Sequence, residues 1–136
     1  MPGHFLDDCL QAPESDWSLA DASTGLVIAP TLLTAFDRER RNRGLLGRDH
    51  LPPGEALVLA PCSSIHTFFM RFALDVLFVG RDGCVLKVRR NLPPWRLAIR
   101  PGALAVVEFA AGGAANIEPG HRLAVVRRGA APAAAI

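Results

Sequence analysis

The chain has 136 residues, enough for one domain and too few for two ordinary ones. Half of the residues are apolar and 21% are charged, which excludes a disordered composition. The formal net charge of +2, from 15 basic and 13 acidic residues, weighs against a general polyanion binder and leaves room for a local basic patch. The opening stretch, MPGHFLDDCLQAP, has neither a basic segment nor an apolar run of the secretory kind. No apolar run approaches the ~18 residues of a membrane span. Cys9, Cys62 and Cys84 form no C-x-x-C pair, so a zinc ribbon or a thioredoxin-type motif is not expected. Three such thiols fit a reducing cytoplasm, the expected location.

Residues 1–23 mix Pro, Asp, Ser and Gly without a clear period. They are expected to form a loosely ordered N-terminal arm that docks through Phe5, Leu6 or Trp17. The domain proper is placed at 24–128, and 129–136 reads as a flexible, low-complexity tail. Leu26-Val27-Ile28 is a short apolar strand. A helix is predicted over 34–43, with Thr34 as N-cap, Asp37/Arg41 and Glu39/Arg43 as i,i+4 pairs, and Gly44 as the stop. After Pro52-Pro53-Gly54 the apolar period changes to two. Strands are predicted at 55–60, 65–70 and 74–79. Arg81-Asp82-Gly83 is a tight turn that makes 74–79 and 84–90 a hairpin. Further strands are expected at 95–99, 103–109 and 122–127, with a helical turn at 112–117. Short strands separated by turns indicate an all-β, β-rich domain, a small β-barrel or β-sandwich with one short helix near its start.

Several blocks recur in a recognisable order. They are Arg43-Gly44-Leu45-Leu46-Gly47-Arg48, Phe68-Phe69-Met70-Arg71, Leu74-Asp75-Val76-Leu77-Phe78, the Asp82-Gly83 turn, the Leu92-Pro93-Pro94 link and Val107-Glu108-Phe109-Ala110-Ala111-Gly112. On these residues the stretch 26–127 resembles the prokaryotic family called domain of unknown function 192. The resemblance implies a small β-barrel or β-sandwich and no established activity. Phe72 stands where the family has a polar residue, and His121 where its last turn has Asp; a ligand contact at either place would differ here.

The candidate sites rest on a few polar side chains. Cys62, His66 and Asp75 are of the types that make a nucleophile, a base and an orienting acid, which would suit a hydrolase-like enzyme. On an unbroken strand Cys62 and His66 would sit ~13 Å apart, so a turn at Ser63-Ser64 would have to bring them together. The plainer alternative makes Cys62 a small buried residue and His66 a hydrogen-bonded strand end. Cys62, His66 and His121 with an acid are possible zinc ligands by type, but no spacing enforces their convergence, and no metal or other cofactor is assigned. Arg43 and Arg48 flank a glycine-bounded turn suited to a carboxylate or phosphate. Asp75 interrupts an apolar strand, and Arg43 is the expected ion-pair partner.

Phe68, Met70 and Phe72 are expected in the core, with Phe69 and Arg71 on the other face; the alternative is an aromatic rim around a ligand pocket. Trp95 follows Pro93-Pro94 on a loop, where an exposed aromatic serves recognition. Lys87, Arg89, Arg90, Arg96 and Arg100 around Trp95 would suit weak binding of single-stranded nucleic acid, a minor alternative given the charge balance. The preferred reading is a non-catalytic binding module for a small polar or anionic ligand, or for a peptide-like partner. Arg43, Arg48, His66, Met70, Asp75 and Trp95 are its candidate binding residues. The sequence leaves the oligomeric state open.

Overall fold

The computed structural model describes residues 3–129. In chain order the elements are α1 (Asp7–Gln11), β1 (Trp17–Asp21), β2 (Leu26–Ala35), α2 (Arg38–Arg43), β3 (Glu55–Leu59), β4 (Ser64–His66), β5 (Leu74–Val79), β6 (Val85–Leu92), β7 (Leu97–Ile99), β8 (Ala105–Ala110) and β9 (Leu123–Arg127). Seven strands form one sheet in the order β6-β5-β8-β3-β2-β1-β9, and β4 and β7 form a separate two-stranded ribbon. The fold is mostly β, as the turn-punctuated sequence implies.

The sheet curls until its edges meet. A bridge joins Cys84, just before β6, to Arg122, just before β9. Gly83 makes this closure possible: a Cβ on it would lie 2.4 Å from the Leu123 carbonyl, and its φ is +89°. Contacts along that line include Leu123 N–H donating to the Gly83 carbonyl at 2.8 Å and Val85 N–H donating to the His121 carbonyl at 2.8 Å. The outcome is a half-barrel, with no long apolar strand edge left for another chain to pair with at that end.

Both faces of the central strands are buried, which is why they read as nearly continuous apolar runs. Ala56, Val58, Leu77, Val79, Val107 and Phe109 belong to one core, together with Leu6 and Cys9 near the N-terminus. Their strand neighbours Leu57, Leu59, Val76, Phe78 and Val106 belong to a second core, with Leu45, Leu51, Ile65, Met70 and Ala98. The second layer has a topological origin. β2 and β3 pair in parallel, from Thr31↔Glu55 to Ala35↔Leu59. Parallel neighbours need a crossover rather than a tight turn. That crossover, residues 36–54, carries α2 and the arginine-flanked turn after it.

The structure departs from the sequence expectations in four places. The stretch 1–23, expected as a loosely ordered arm, supplies α1 and β1, and β1 pairs with both β2 and β9. Leu6 is fully buried and Trp17 only 3% exposed, so these two expected anchors do dock. The helix starts at Arg38 rather than near Thr34, because Thr34 extends β2 and pairs with Val58. Asp37 is the N-cap, its side chain accepting from Arg40 N–H at 2.7 Å, and Gly44 ends the helix as expected. The expected i,i+4 ion pairs are replaced by an i,i+3 contact of Arg40 with Asp37 and by Arg41 donating to the Phe36 carbonyl. The strand expected at 65–70 stops at His66, where the chain turns through Phe68 and Phe69. The tail expected at 129–136 lies, apart from Gly129, outside the described residues.

Candidate ligand-binding clefts

The turn after α2 separates two clefts. The smaller, of about 300 Å³, is lined by Arg41, Arg43, Gly44, Cys62, His66 and Met70, with Glu108 of β8. The sheet places Glu108 there. It pairs with Leu57 of β3 and Val76 of β5, both members of the second core, so alternation points its side chain to the layer under the crossover. Glu108 is 5% exposed, and among the described residues no group hydrogen-bonds its carboxyl. Burial pushes its pKa up to about 7. A carboxyl that deep without a partner is costly when charged, so it holds its proton into the neutral range. Gly44 lies against it: a Cβ there would come within 3.9 Å of Oε1.

Cys62 and His66 share this cleft, but as quiet neighbours. The Cys62 Sγ lies 3.1 Å from the Ser64 carbonyl, to which it donates. Burial pushes the thiol pKa up, the Glu108 charge pushes the same way, and the Ser64 contact and the Arg41 charge pull it back. The net upward shift leaves little thiolate at neutral pH, the opposite of an activated nucleophile. His66 Nδ1 accepts from Phe68 N–H at 3.3 Å.

Asp75 is elsewhere. It is 2% exposed and both its oxygens are occupied, Oδ1 by Asn91 N–H at 2.9 Å and Oδ2 by Gly112 N–H at 3.0 Å and Ala114 N–H at 3.2 Å. The expected Arg43–Asp75 ion pair therefore does not form; three backbone donors satisfy the carboxylate instead. The Cys62, His66 and Asp75 set is likewise not assembled in the cleft. His121, the other proposed zinc ligand, faces Asp21, with Nδ1 2.9 Å from Oδ2. Among the described residues no three His, Cys, Asp or Glu side chains gather as a metal site.

The larger cleft, about 700 Å³, lies on the other side of the turn. Arg40, Arg43, Arg48 and Arg128 line it together with Glu14 and Asp16. Arg128 leans toward Asp16 at 3.9 Å and Arg40 toward Asp37 at 3.6 Å. Arg43 and Arg48 make no ion pair among the described residues. Arg48 thus lies in a different cleft from His66 and Met70, and Arg43 borders both.

Trp95 belongs to an aromatic ledge that starts at the smaller cleft. The His66 ring stacks on Phe68 at 4.9 Å between centroids, Phe68 stacks on Trp95 at 5.9 Å, and Trp95 meets Phe69 at 4.7 Å. Met70 is buried in the second core and Phe72 packs against it, while Phe69 and Arg71 point outward as expected; Phe68, half-buried, joins neither core and stacks in the ledge instead. Of the basic residues near Trp95, Lys87 bonds the Ile99 carbonyl, and Arg90 is held by Ala114, Ile117 and Glu118. Arg96 and Arg100 bond the carbonyls of Trp95 and Pro101.

Sequence reasoning passed over two residues. Glu108 was visible as a carboxyl inside the apolar run 103–109, the same signal that singled out Asp75. Thr67, fully buried at the base of the ledge, carried no such signal, because its role is fixed by a loop 26 residues away.

A mostly β half-barrel, with a crossover laid over one face and clefts on either side of its turn, is the class that fold and geometry define. The family model of DUF192, described as uncharacterised ACR, matches residues 22–125, and the chain belongs to that family. No curated protein matches the chain. Two solved structures share the fold at 24% sequence identity and a TM-score of 0.69. One is a protein of unknown function from Novosphingobium aromaticivorans DSM 12444, with 79% of this chain and 82% of that one covered. The other is described as a candidate transcription regulator, from Sinorhizobium meliloti 1021, with 80% and 94% covered. Among the described residues no helix is long and apolar enough to cross a membrane.

Proposed function

We propose that this DUF192 protein is a non-catalytic binding module for a small polar ligand, held in the cleft floored by Glu108. One observation carries the reading: a carboxyl 5% exposed, open to a cleft of about 300 Å³ and without a protein partner. Among the described residues no fully buried side-chain oxygen lacks a partner, so the Glu108 oxygens are reached from the cleft, where a ligand's polar group can replace water as their partner. The protonated state of Cys62 and the remote position of Asp75 favour binding over nucleophilic chemistry. The free cysteines fit a reducing compartment, in line with a cytoplasmic module.

The larger cleft supports a second reading, an anion site. It is favoured by Arg43 and Arg48, two guanidinium forks without ion-pair partners among the described residues. A thermal-shift screen of carboxylates, phosphates and sugars separates the two. Under the first reading a stabilising compound loses its effect in Glu108→Ala and keeps it in Arg48→Ala. Stabilisation by phosphate that disappears in Arg48→Ala and ignores Glu108→Ala would move the function to the arginine cleft. No stabilisation by any compound would refute both.

A further inference from the structure

We propose, resting on the Glu108 reading, that the ligand of the smaller cleft is a neutral saccharide whose ring lies on the aromatic ledge of Phe68, Trp95 and Phe69. The ledge is built, not frayed. Phe69 is 71% exposed and Trp95 55% exposed. Their φ angles are +65° and +68°, a region that bulky residues rarely enter. Such conformations persist only where the surroundings enforce them, and they concentrate at functional sites.

Thr67 does the enforcing. Its Oγ1 donates to the Pro93 carbonyl at 2.7 Å and accepts from Arg96 N–H at 2.9 Å. Its carbonyl accepts from Trp95 N–H at 3.0 Å and Met70 N–H at 3.1 Å, and its own N–H donates to the Arg96 carbonyl at 2.8 Å. One buried side chain and its peptide groups thus fasten both loops, and both aromatic rings are held out into solvent.

The chemistry selects the ligand class. The ledge begins at His66, which also lines the cleft, while Phe68, Trp95 and Phe69 lie beyond the cleft lining, so a ligand on both must extend out of the cleft past His66. A cationic ligand would meet Arg41 and Arg43 at the cleft, and an anion, though drawn to those arginines, would be repelled by Glu108 once its carboxyl ionises above about pH 7. A purely apolar ligand would bury Glu108 without giving it a hydrogen bond. A sugar avoids all three costs. Its hydroxyls bond a carboxyl in either protonation state, and its C–H face covers an aromatic ring, whose own face is electron-rich. The cleft volume lies at the small end of ligand sites and suits a mono- or disaccharide.

The full chain has two tryptophans, of which Trp17 is 3% exposed and Trp95 55%, so a change in acrylamide quenching reads Trp95. The probes are glucose, galactose, N-acetylglucosamine, maltose and cellobiose, with saturation-transfer NMR as the second assay. The expected result is that at least one sugar shields Trp95 and binds tenfold or more weakly in Phe69→Ala and in Glu108→Ala, with Arg122→Ala, which lines neither cleft, unchanged. Trp95→Ala, read by NMR alone, should weaken binding by a similar factor. If no sugar binds while another compound of the screen still needs Glu108, the saccharide inference fails and the cleft reading stands. If a sugar binds but ignores Phe69→Ala and Trp95→Ala, the ledge is not its platform and the inference fails. If no compound needs Glu108, both fail. Salt-sensitive binding of short oligonucleotides that is lost in Trp95→Ala, with no sugar bound, would reassign the ledge to single-stranded nucleic acid.

Discussion

Asp75 and Glu108 sit on neighbouring strands, 2% and 5% exposed, and have opposite fates. In the β5–β8 register Asp75 faces Phe109 and Glu108 faces Val76, so adjacent pairs put the two carboxyls on opposite faces of one sheet. On its face Asp75 collects three backbone N–H groups and ties the end of β6 to the turn at 112–114. On the other face no donor among the described residues reaches Glu108, which lines the smaller cleft beside Gly44. Burial of a charge alone therefore does not mark a functional residue; the count of donors around it does. Asp75 is an internal staple, and Glu108, open to the cleft, is the carboxyl proposed to take a ligand's polar group.

The largest effect that would break this contrast is at Asp75. Asp75→Ala strands three buried donors and should cost roughly 3–5 kcal/mol in urea unfolding. A loss below about 1 kcal/mol would show that water replaces the carboxylate and that the staple is dispensable.

Glu108→Gln should act in the opposite direction and depend on pH. The folded pKa of about 7 lies above the ordinary 4.5. Between these values the folded chain holds more proton than the unfolded one, so this residue's contribution to stability declines as pH rises through that window and is level beyond it. The neutral amide escapes this decline. The variant should gain stability relative to the wild type at about pH 8, on the order of 3 kcal/mol, and lose that gain at about pH 4. A difference that does not change with pH would mean that the carboxyl is solvated.

A smaller effect is expected at the ledge. Thr67→Val keeps the shape but removes the bonds to Pro93 and Arg96, and should cost about 1–3 kcal/mol. It should also change the acrylamide quenching of Trp95 in the folded protein. An unchanged signal would place the loop's rigidity elsewhere. The smallest effects belong to Arg43→Ala and Arg48→Ala, which should stay within about 0.5 kcal/mol, since neither residue has an ion pair to lose.

Most of the sheet was legible because paired strands leave a strong local trace. The run 74–79, the Asp82-Gly83 turn and the run 103–109 all fall where period and turn chemistry place them. β1 was not legible, since Trp17 to Asp21 has no clear alternation and owes its strand state to β2 and β9 on either side. Thr34 misled as an N-cap because a Thr three residues before Asp37 also suits a strand, and the parallel pairing with β3 decided the matter. In the candidate site, His66, Met70 and Arg43 do meet, whereas Arg48 and Asp75 part from them. Which side of a turn a residue joins, and which carboxyl finds donors, are set by loops far away in sequence.

The measurement closest to the central claim is a carbon-13 NMR titration of the Glu108 carboxyl in the intact protein, assigned by comparison with Glu108→Gln. A midpoint near about 7, shifted on addition of a ligand that needs this residue, is the predicted result. A midpoint in the ordinary carboxylate range, unmoved by ligand, would contradict the account and leave Glu108 as one more solvated acid.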